Sequence, residues 1–390
     1  MQHTLFVAAV VIAQVLVQVG TFTLPALLPE FMARWGLSAT EAGWLIGAYF
    51  LAYVAAVPVL VSLTDRVPAR RIYMIGTAAT ALSHLGFVLV DEFWAGMLLR
   101  ALAGIGWAGC YMPGLKVIAD RLEGAAQSRA VTWHAAGVGI AGACSFIVAG
   151  GMQALGGVPA AFLFSAAAAG AACIIGWVVM PRHAPPPRAD ATALLDFRPV
   201  LRNRQAMAWI AGYTVHTWEL AALRAWGVAF LAAVIALHGA PTWLPGPTVI
   251  FTLVGLAGIA TSIAGNEWAQ RWGRGRVVAA AMGGGAMLSL ACGFSTAALP
   301  LAILCVLAWN AAIYLDSSAL TAGTVQAAET GRRGATMGLH SMCGYAGGFI
   351  GPIGVGMALD AGGGWALAFG HLAALGVAGL LAVRWLGRRA

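Results

Sequence analysis

The feature that most constrains this chain is a series of long apolar runs that recurs from one end to the other. A helix that crosses a bilayer needs about 20 mostly apolar residues. Runs of that kind lie near residues 5–28, 40–63, 72–90, 93–119, 130–155, 159–180, 206–236, 244–268, 277–296, 299–325, 335–358 and 364–385. Because a helix satisfies its backbone polar groups internally in lipid, the sequence predicts an all-α integral membrane protein with twelve transmembrane helices.

The composition agrees with a membrane protein. Of the 390 residues, 61% are hydrophobic and 9% are charged, whereas soluble proteins carry about 25% charged residues. The net charge of +8 does not predict a nucleic-acid partner, because the arginines fall between the apolar runs and no base-stacking aromatics alternate with them. All six cysteines lie inside apolar runs without C-x-x-C spacing, so we expect neither a metal nor another cofactor.

The basic residues test the topology independently, because short cytoplasmic loops collect positive charge. With a cytoplasmic N-terminus, 18 of the 22 basic residues fall in cytoplasmic segments and one, Arg34, falls on the opposite side. The first run lacks the basic flank and the cleavage site of a signal peptide, so we expect it to be retained as a membrane helix. The prediction is a multi-pass protein of the bacterial-type inner (plasma) membrane with both termini in the cytoplasm.

Two landmarks recur at nearly one offset along the chain. Arg66 in VSLTDRVPARRI pairs with Arg271 in GNEWAQRWGRGR at an offset of 205, and His134 pairs with His340 at an offset of 206. Such internal repeats, with a substrate site at their interface, are typical of secondary transporters. The predicted parts are a six-helix bundle in 1–181, a cytoplasmic linker in 182–205 and a second six-helix bundle in 206–390.

Two short motifs carry a resemblance to a known family. The loop TDRVPARR holds Asp65, Arg66 and Arg70, and the fourth run contains RALAGIGWAG with Arg100 at its start. They resemble the G-x-L-x-D-R-x-G-R-R loop motif and the R-x-x-x-G-x-G helix motif of the major facilitator superfamily. The loop departs from the family pattern at Val61, Pro68 and Ala69.

The resemblance implies alternating access, in which two bundles move about a central cavity lined mainly by helices 1, 4, 7 and 10. It also implies a gating role for Asp65, Arg66 and Arg70, and for Arg271 in the equivalent loop. The family's antiporter motif G-P-x-x-G-G is missing from the fifth run, which reads GVGIAGACSFIVAGG. Its absence disfavours drug efflux.

Polar residues on one face of the first run are candidates for substrate binding. Gln14, Gln18 and Thr21 lie within about 40° on one helix face, and interhelical packing is the alternative role. The offset of 205 carries Gln14 to Glu219 in HTWELAALRAW, which predicts that Glu219 faces the cavity. A charge near the bilayer centre costs at least about 2.5–3.5 kcal/mol, so we predict a protonated Glu219 that carries a coupled proton. A permanent ion pair with an arginine is the alternative.

The fourth and tenth runs supply further candidates for substrate binding. Arg100, Trp107 and Tyr111 lie along one line of the fourth run, and a cation beside an aromatic wall suits a small organic anion or a planar group. Structural pairing of Arg100 with a carboxylate is the alternative. Asn310 and Tyr314 lie on a polar stripe of the tenth run.

Three more ionisable residues are candidates for function: two lie near Glu219 and one lies on the tenth run. His216, three residues before Glu219, is a second candidate for proton coupling and for a hydrogen bond with Glu219. Asp316 is a third, although its direction among small residues favours an interhelical partner over a cavity position. Arg224 lies about 140° around the helix from Glu219, so the two are not expected to pair. Substrate binding, snorkelling and structural pairing stay open for Arg224.

Together these features predict a secondary active transporter of a small organic solute that works by alternating access with proton coupling. An organic anion is one candidate class of solute. The alternative is a proton-driven efflux antiporter for drugs or toxic solutes. An intramembrane enzyme is not favoured, because neither G-x-S-x-G nor H-E-x-x-H occurs. We expect the partners to be the solute, protons and the lipid bilayer, and we expect a monomer.

Overall fold

The computed structural model describes residues 2–64, 66–182, 196–330 and 332–387, and their regular structure is helical. The α-helices are α1 (Gln2–Gln18), α2 (Thr23–Ala26), α3 (Leu28–Trp35), α4 (Ala39–Leu63), α5 (Ala69–Gly86), α6 (Phe93–Arg121), α7 (Gly124–Val179), α8 (Arg198–Arg202), α9 (Arg204–His238), α10 (Pro247–Trp272), α11 (Arg274–Phe294), α12 (Leu299–Ala327), α13 (Arg333–Ala358) and α14 (Gly364–Gly387). A 3₁₀ turn, Ser295–Ala297, precedes α12, and a π-helical turn, Leu359–Gly363, joins α13 to α14. The predicted all-α class is confirmed.

Eight segments of the described residues are long and apolar enough to cross a membrane. Two of them are longer than one crossing requires, since Gly124–Val179 has 56 residues and Arg333–Trp385 has 53. Each of these two contains a break in the helix. Outside the eight, α1 and α5 have 17 and 18 residues. The helices are therefore consistent with the twelve crossings that the sequence predicts.

Glycines with positive φ form both breaks. In α7, Gly157 has φ 71° and Gly156 is also non-helical, and Pro159 then begins the next helical stretch with its fixed φ. Between α13 and α14, Gly362 and Gly364 have φ 78° and 55°. Only glycine adopts these conformations without strain, so the two predicted pairs of neighbouring crossings separate where the sequence supplies glycine.

The first apolar run differs from the single continuous helix predicted over 5–28. α1 ends at Gln18, and the chain continues through α2 and α3. Pro25 cannot donate a backbone hydrogen bond to the preceding turn. Gly20 lies so close to its neighbours that an added Cβ would be 2.6 Å from His84 Nε2. A backbone irregularity is tolerated at membrane depth where protein packs around it.

The chain folds into two compact units. The first unit consists of Met1–Leu27 with Ala48–Ala191, and the second consists of Leu28–Gly47 with Thr192–Ala390. The core of the first unit includes Val10, Ala13, Val17, Tyr73, Cys110 and Ile118. Of the predicted linker, residues 183–195 lie outside the described residues, and α8 lies in its C-terminal part. The predicted boundaries of the two halves stay a prediction.

In the second unit, α9 and α13 pack backbone to backbone through small residues. A Cβ added at Gly347 would lie 2.4 Å from the carbonyl oxygen of Thr214, and one at Gly351 would lie 2.4 Å from that of Trp218. These distances leave no space for a side chain larger than hydrogen. Close approach through small residues is how membrane helices gain packing energy.

The second unit also contains the start of α4. Asp360, in the turn between α13 and α14, accepts hydrogen bonds from the backbone N–H groups of Ala39 (3.0 Å) and Thr40 (2.8 Å). The first N–H groups of a helix have no partner within the helix, so the carboxylate caps them. This contact joins the start of α4 to the second unit.

Candidate functional site

The second unit holds a buried acid–imidazole pair between two helices. Asp316 of α12 and His216 of α9 share a hydrogen bond of 2.8 Å between Oδ1 and Nδ1. Both side chains are at most 4% exposed. The prediction of an interhelical partner for Asp316 is confirmed. The prediction of a hydrogen bond between His216 and Glu219 is wrong, because the imidazole is turned toward α12.

Glu219, one turn further along α9, is buried by a different set of neighbours. Its carboxylate accepts a hydrogen bond from the Trp309 indole N–H. Its oxygens lie 3.1 and 3.4 Å from the position that a Cβ would take at Gly285 of α11. The repeat predicts a cavity-facing Glu219, but the carboxylate lies between α11 and α12, because the glycine leaves space for it there. Among the described residues, no arginine pairs with Glu219.

Two aromatic rings extend the polar cluster around His216. Tyr213 stacks on His216 with ring centroids 5.6 Å apart and on His340 of α13 at 3.8 Å. The His340 Nδ1 lies 3.0 Å from the hydroxyl of Thr324 on α12. We call Tyr213, His216, Asp316, His340 and Thr324 the polar cluster of the second unit. Sequence reasoning missed Tyr213, although its spacing of three residues from His216 places both rings on one helix face.

The other predicted residues of the second unit make hydrogen bonds between helices. Arg224 donates to the Tyr314 hydroxyl, and as expected it does not pair with Glu219. Asn310 donates from Nδ2 to the carbonyl oxygen of Val254 at 2.7 Å. The tenth run thus joins α9 and α10 through its polar stripe. Whether Arg224, Asn310 and Tyr314 bind a substrate stays a prediction.

A hydroxyl-rich cavity of about 430 Å³ opens beside the C-terminal half of α12. Ser317, Ser318, Thr321 and Gln326 line it with polar groups, together with Ala322 and Val325. The Ser318 hydroxyl also lies 2.7 Å from that of Ser262 on α10. These six lining residues offer hydrogen-bond donors and acceptors, and none of the six carries a formal charge.

In the first unit, the predicted aromatic wall of the fourth run is packed into the helix bundle. Arg100 is buried, with its guanidinium 4.7 Å from the ring centroid of Tyr49 on α4. Trp107 lies 5.3 Å from the same ring and 4.2 Å from the ring of Tyr53. Tyr111 stacks on His134 at 5.6 Å. Their substrate-binding role stays a prediction.

The polar face of α1 is also buried. Gln18 accepts a hydrogen bond of 2.9 Å from the Thr21 hydroxyl. The Gln14 amide and both ring nitrogens of His134 are buried without a hydrogen-bond partner among the described residues. They converge on Gly114, where an added Cβ would lie 3.1 Å from His134 Nε2 and 3.6 Å from Gln14 Oε1. We call Gln14 and His134, together with Gly114, the neutral polar pocket of the first unit.

The predicted gating residues differ in their surroundings. Asp65 lies outside the described residues. Arg66 and Arg271 are exposed at the ends of α4 and α10. Arg70 is buried, with its guanidinium 4.3 Å from the centroid of the Trp177 ring.

A comparison with protein families decides the identity of this fold. The protein-family model described as Major Facilitator Superfamily matches residues 10–352 of this chain. The chain belongs to the major facilitator superfamily. The match covers the loop motif around Arg66 and both buried clusters, so the resemblance carried by the two short motifs extends over most of the chain.

Solved structures share the fold of this superfamily member. A bacterial homologue of the human lysosomal transporter Spinster, inward-facing and unoccupied, superposes with a TM-score of 0.78 at 15% identity over 99% of this chain and 95% of that one. The nucleoside transporter NupG superposes with a TM-score of 0.77 at 15% identity over 98% of each chain. At such identities the likeness establishes the fold, which is that of transporters of this superfamily.

The curated relatives match this chain over a smaller part of their length than the solved structures do. Human protein spinster homolog 1 is 22% identical over 277 residues, which are 68% of this chain and 52% of that protein. The MFS-type transporter YwoD of Bacillus subtilis (strain 168) is 24% identical over 121 residues, or 31% of this chain and 27% of the relative. This superfamily member therefore spans about half or less of the curated relatives it matches.

Proposed function

We propose that this chain is a secondary active transporter that moves a small polar organic solute by alternating access and couples this movement to protons. The observation that carries the proposal is the His216–Asp316 hydrogen bond of 2.8 Å, made by two buried side chains on different helices. An ionisable residue within a membrane span is costly and usually serves a function. A carboxyl group that shares a hydrogen bond with an imidazole can hold one proton more or less without losing its partner.

We propose two different roles for the predicted proton carriers. Asp316 and His216 lie on different helices, so movement of α12 relative to α9 changes the distance between the acid and its partner. Glu219 also has a partner on α12, but that partner is an indole, which donates and cannot accept a proton. We therefore assign the coupled proton to the Asp316–His216 pair, and Glu219 to a supporting position.

We infer the class of solute from the polar lining of the cavity beside α12. Its hydroxyl and amide groups suit a solute with several hydrogen-bonding groups, and a volume of about 430 Å³ lies within the usual range of small-molecule sites. The arginines considered for an organic anion are occupied elsewhere, Arg100 against Tyr49 and Arg224 at Tyr314. This supports a polar solute, and a carboxylate is not required.

Reconstituted protein tests the proposal. A thermal-shift screen against nucleosides, sugars, organic anions and lipophilic cations first identifies a solute. Asp316→Asn keeps a hydrogen-bonding side chain of the same shape, but its amide cannot bind and release a proton. This variant is tested in proteoliposomes. We expect counterflow exchange to persist and accumulation driven by a pH gradient to fall to background. The matched control is Asp120→Asn, which removes a half-exposed acid paired with Lys116 and leaves both activities intact. Full gradient-driven accumulation by Asp316→Asn would contradict the proposal.

We also propose that the protein lies in a bacterial-type inner membrane with both termini in the cytoplasm. On a cysteine-free background, Ser128→Cys and Ala240→Cys place a thiol at exposed positions that the arginine distribution assigns to opposite sides. In intact cells, an impermeant maleimide should label position 240 and not position 128. The reverse pattern would overturn the orientation.

A further inference from the structure

A second cavity lies on the first unit, and its lining includes none of the residues of the two buried clusters. This groove of about 470 Å³ follows one face of α1, where α1 passes the end of α6 and the start of α7. Its walls are mostly apolar side chains, Val7, Val11, Ile12, Leu122, Ala130 and Trp133. One end is polar and is formed by His3, Thr4 and Arg129.

The dimensions of the groove suit a lipid chain. From Thr4 to Ile12 the groove follows nine residues of α1, a rise of about 12 Å at 1.5 Å per residue. Its polar end lies where α1 begins, on the side predicted to be cytoplasmic, and its apolar end lies deeper in the membrane. Trp133 is 64% exposed beside it, as is typical of aromatic residues near a membrane interface.

The charges at the polar end favour an anion. Arg129 is exposed in the second turn of α7 and belongs to the groove lining. Arg121, at the end of α6, holds its guanidinium 4.3 Å from the centroid of the Phe6 ring on α1. The acids next to these arginines in the sequence are Asp120, which pairs with Lys116 at 2.9 Å, and Glu123, so the balance of charge is positive. Basic pockets between membrane helices on the cytoplasmic side bind anionic lipid headgroups.

We propose that this groove binds one anionic phospholipid, with an acyl chain along α1 and the phosphate at Arg129. The proposal does not depend on the transported solute or on proton coupling, because it uses none of the residues assigned to them. Its occupant is a membrane lipid. The phosphate accounts for the preference for an anionic lipid, and the acyl chain makes most of the contacts with the groove.

Native mass spectrometry of the full-length protein in detergent tests this proposal. The protein is titrated with phosphatidylglycerol and with phosphatidylcholine of the same acyl chains. Arg129→Gln removes the charge at the groove, and Arg276→Gln removes an equally exposed arginine from the first turn of α11. Ala8→Trp fills the apolar part of the groove at an exposed position. Thermal melting of each variant confirms that it is folded.

We expect the wild type to prefer phosphatidylglycerol, and Arg129→Gln to weaken its binding about fivefold, the effect of one cation near an anionic headgroup. Arg276→Gln should leave binding unchanged, and Ala8→Trp should weaken both lipids. Brominated phosphatidylglycerol should quench a fluorescence component that disappears in Trp133→Phe. Equal binding of the two lipids, an equal loss in Arg276→Gln, or displacement of the lipid by inorganic phosphate at matched concentration would overturn the proposal.

Discussion

The neutral polar pocket of the first unit contains no acid, whereas the second unit buries Glu219 beside its polar cluster, at the position that the repeat relates to Gln14. At the offset of 205, the three buried residues Glu219, His216 and Asp316 each meet a residue of the first unit that carries no charge. The pairs are Gln14 with Glu219, Val11 with His216, and Tyr111 with Asp316. The histidine stacked on a tyrosine recurs in both units, as His134 on Tyr111 and His340 on Tyr213.

The difference lies in how each cluster satisfies its polar atoms. In the second unit the imidazole of His216 and the carboxyl of Asp316 satisfy one another, and Glu219 accepts from Trp309. In the first unit the Gln14 amide and the His134 ring nitrogens have no partner among the described residues. Among the described residues, buried acids therefore lie only in the second unit, which teaches that a duplicated fold can keep its packing while only one copy acquires buried acids.

The largest expected effect comes from separating the acid–imidazole pair. His216→Leu leaves the Asp316 carboxyl buried without its partner, which typically costs about 3–5 kcal/mol. The repeat-related change Val11→Leu alters only apolar packing and should cost less than about 1.5 kcal/mol. Thermal melting in detergent measures both. Equal losses at the two positions would remove the distinction between the units.

The next effect comes from placing an acid in the first unit. Gln14→Glu reproduces the Glu219 side chain at its repeat position but supplies no indole donor. A charged carboxylate there should destabilise the protein by at least about 2.5–3.5 kcal/mol at alkaline pH. Gln14→Met, which adds no charge, serves as the control in the same melting series. If Gln14→Glu is as stable as the wild type at every pH, the first unit accepts an acid as readily as the second.

A smaller effect is expected from filling the neutral polar pocket. Gly114→Ala places a methyl group 3.1 Å from His134 Nε2, where it denies buried polar atoms space for a hydrogen-bond partner at a cost of about 1–3 kcal/mol. Gly137→Ala is the matched control, because its methyl group would meet only the side chains of Val11 and Val15, both at 3.3 Å. Both changes gain the same helix propensity. Similar melting temperatures for the two variants would show that the polar atoms do not matter.

The smallest effect is expected at Glu219 itself. The carbonyl oxygen of Glu219→Gln can still accept from the Trp309 indole, so we expect a change in stability of less than about 1 kcal/mol. Gradient-driven transport should be reduced but not abolished, because the coupled proton is assigned to Asp316. Complete loss of gradient-driven transport with intact counterflow would move that assignment to Glu219. Glu329→Gln, at an exposed acid, is the control.

Helix positions could be predicted from this sequence, whereas the partners of buried side chains could not. Apolar runs of membrane length fix the crossings, and glycines and prolines mark the breaks in α7 and after α13. The predicted non-pairing of Glu219 and Arg224 needed only the angle between them on one helix. The partners of His216 and Glu219 lie about 90 to 100 residues away on α12, and they depend on the rotation of one helix against another. That rotation is set by packing, such as the space at Gly285, rather than by any pattern within α9.

The glycine contacts between α9 and α13 have a mechanical consequence. The backbones of the two helices approach so closely at Gly347 and Gly351 that an added Cβ would lie 2.4 Å from a carbonyl oxygen, so we expect α9 and α13 to move together. The distance between His216 and His340 then stays constant, with the Tyr213 ring stacked on both imidazoles. We therefore expect any change in the His216–Asp316 distance to come from movement of α12 relative to the pair formed by α9 and α13.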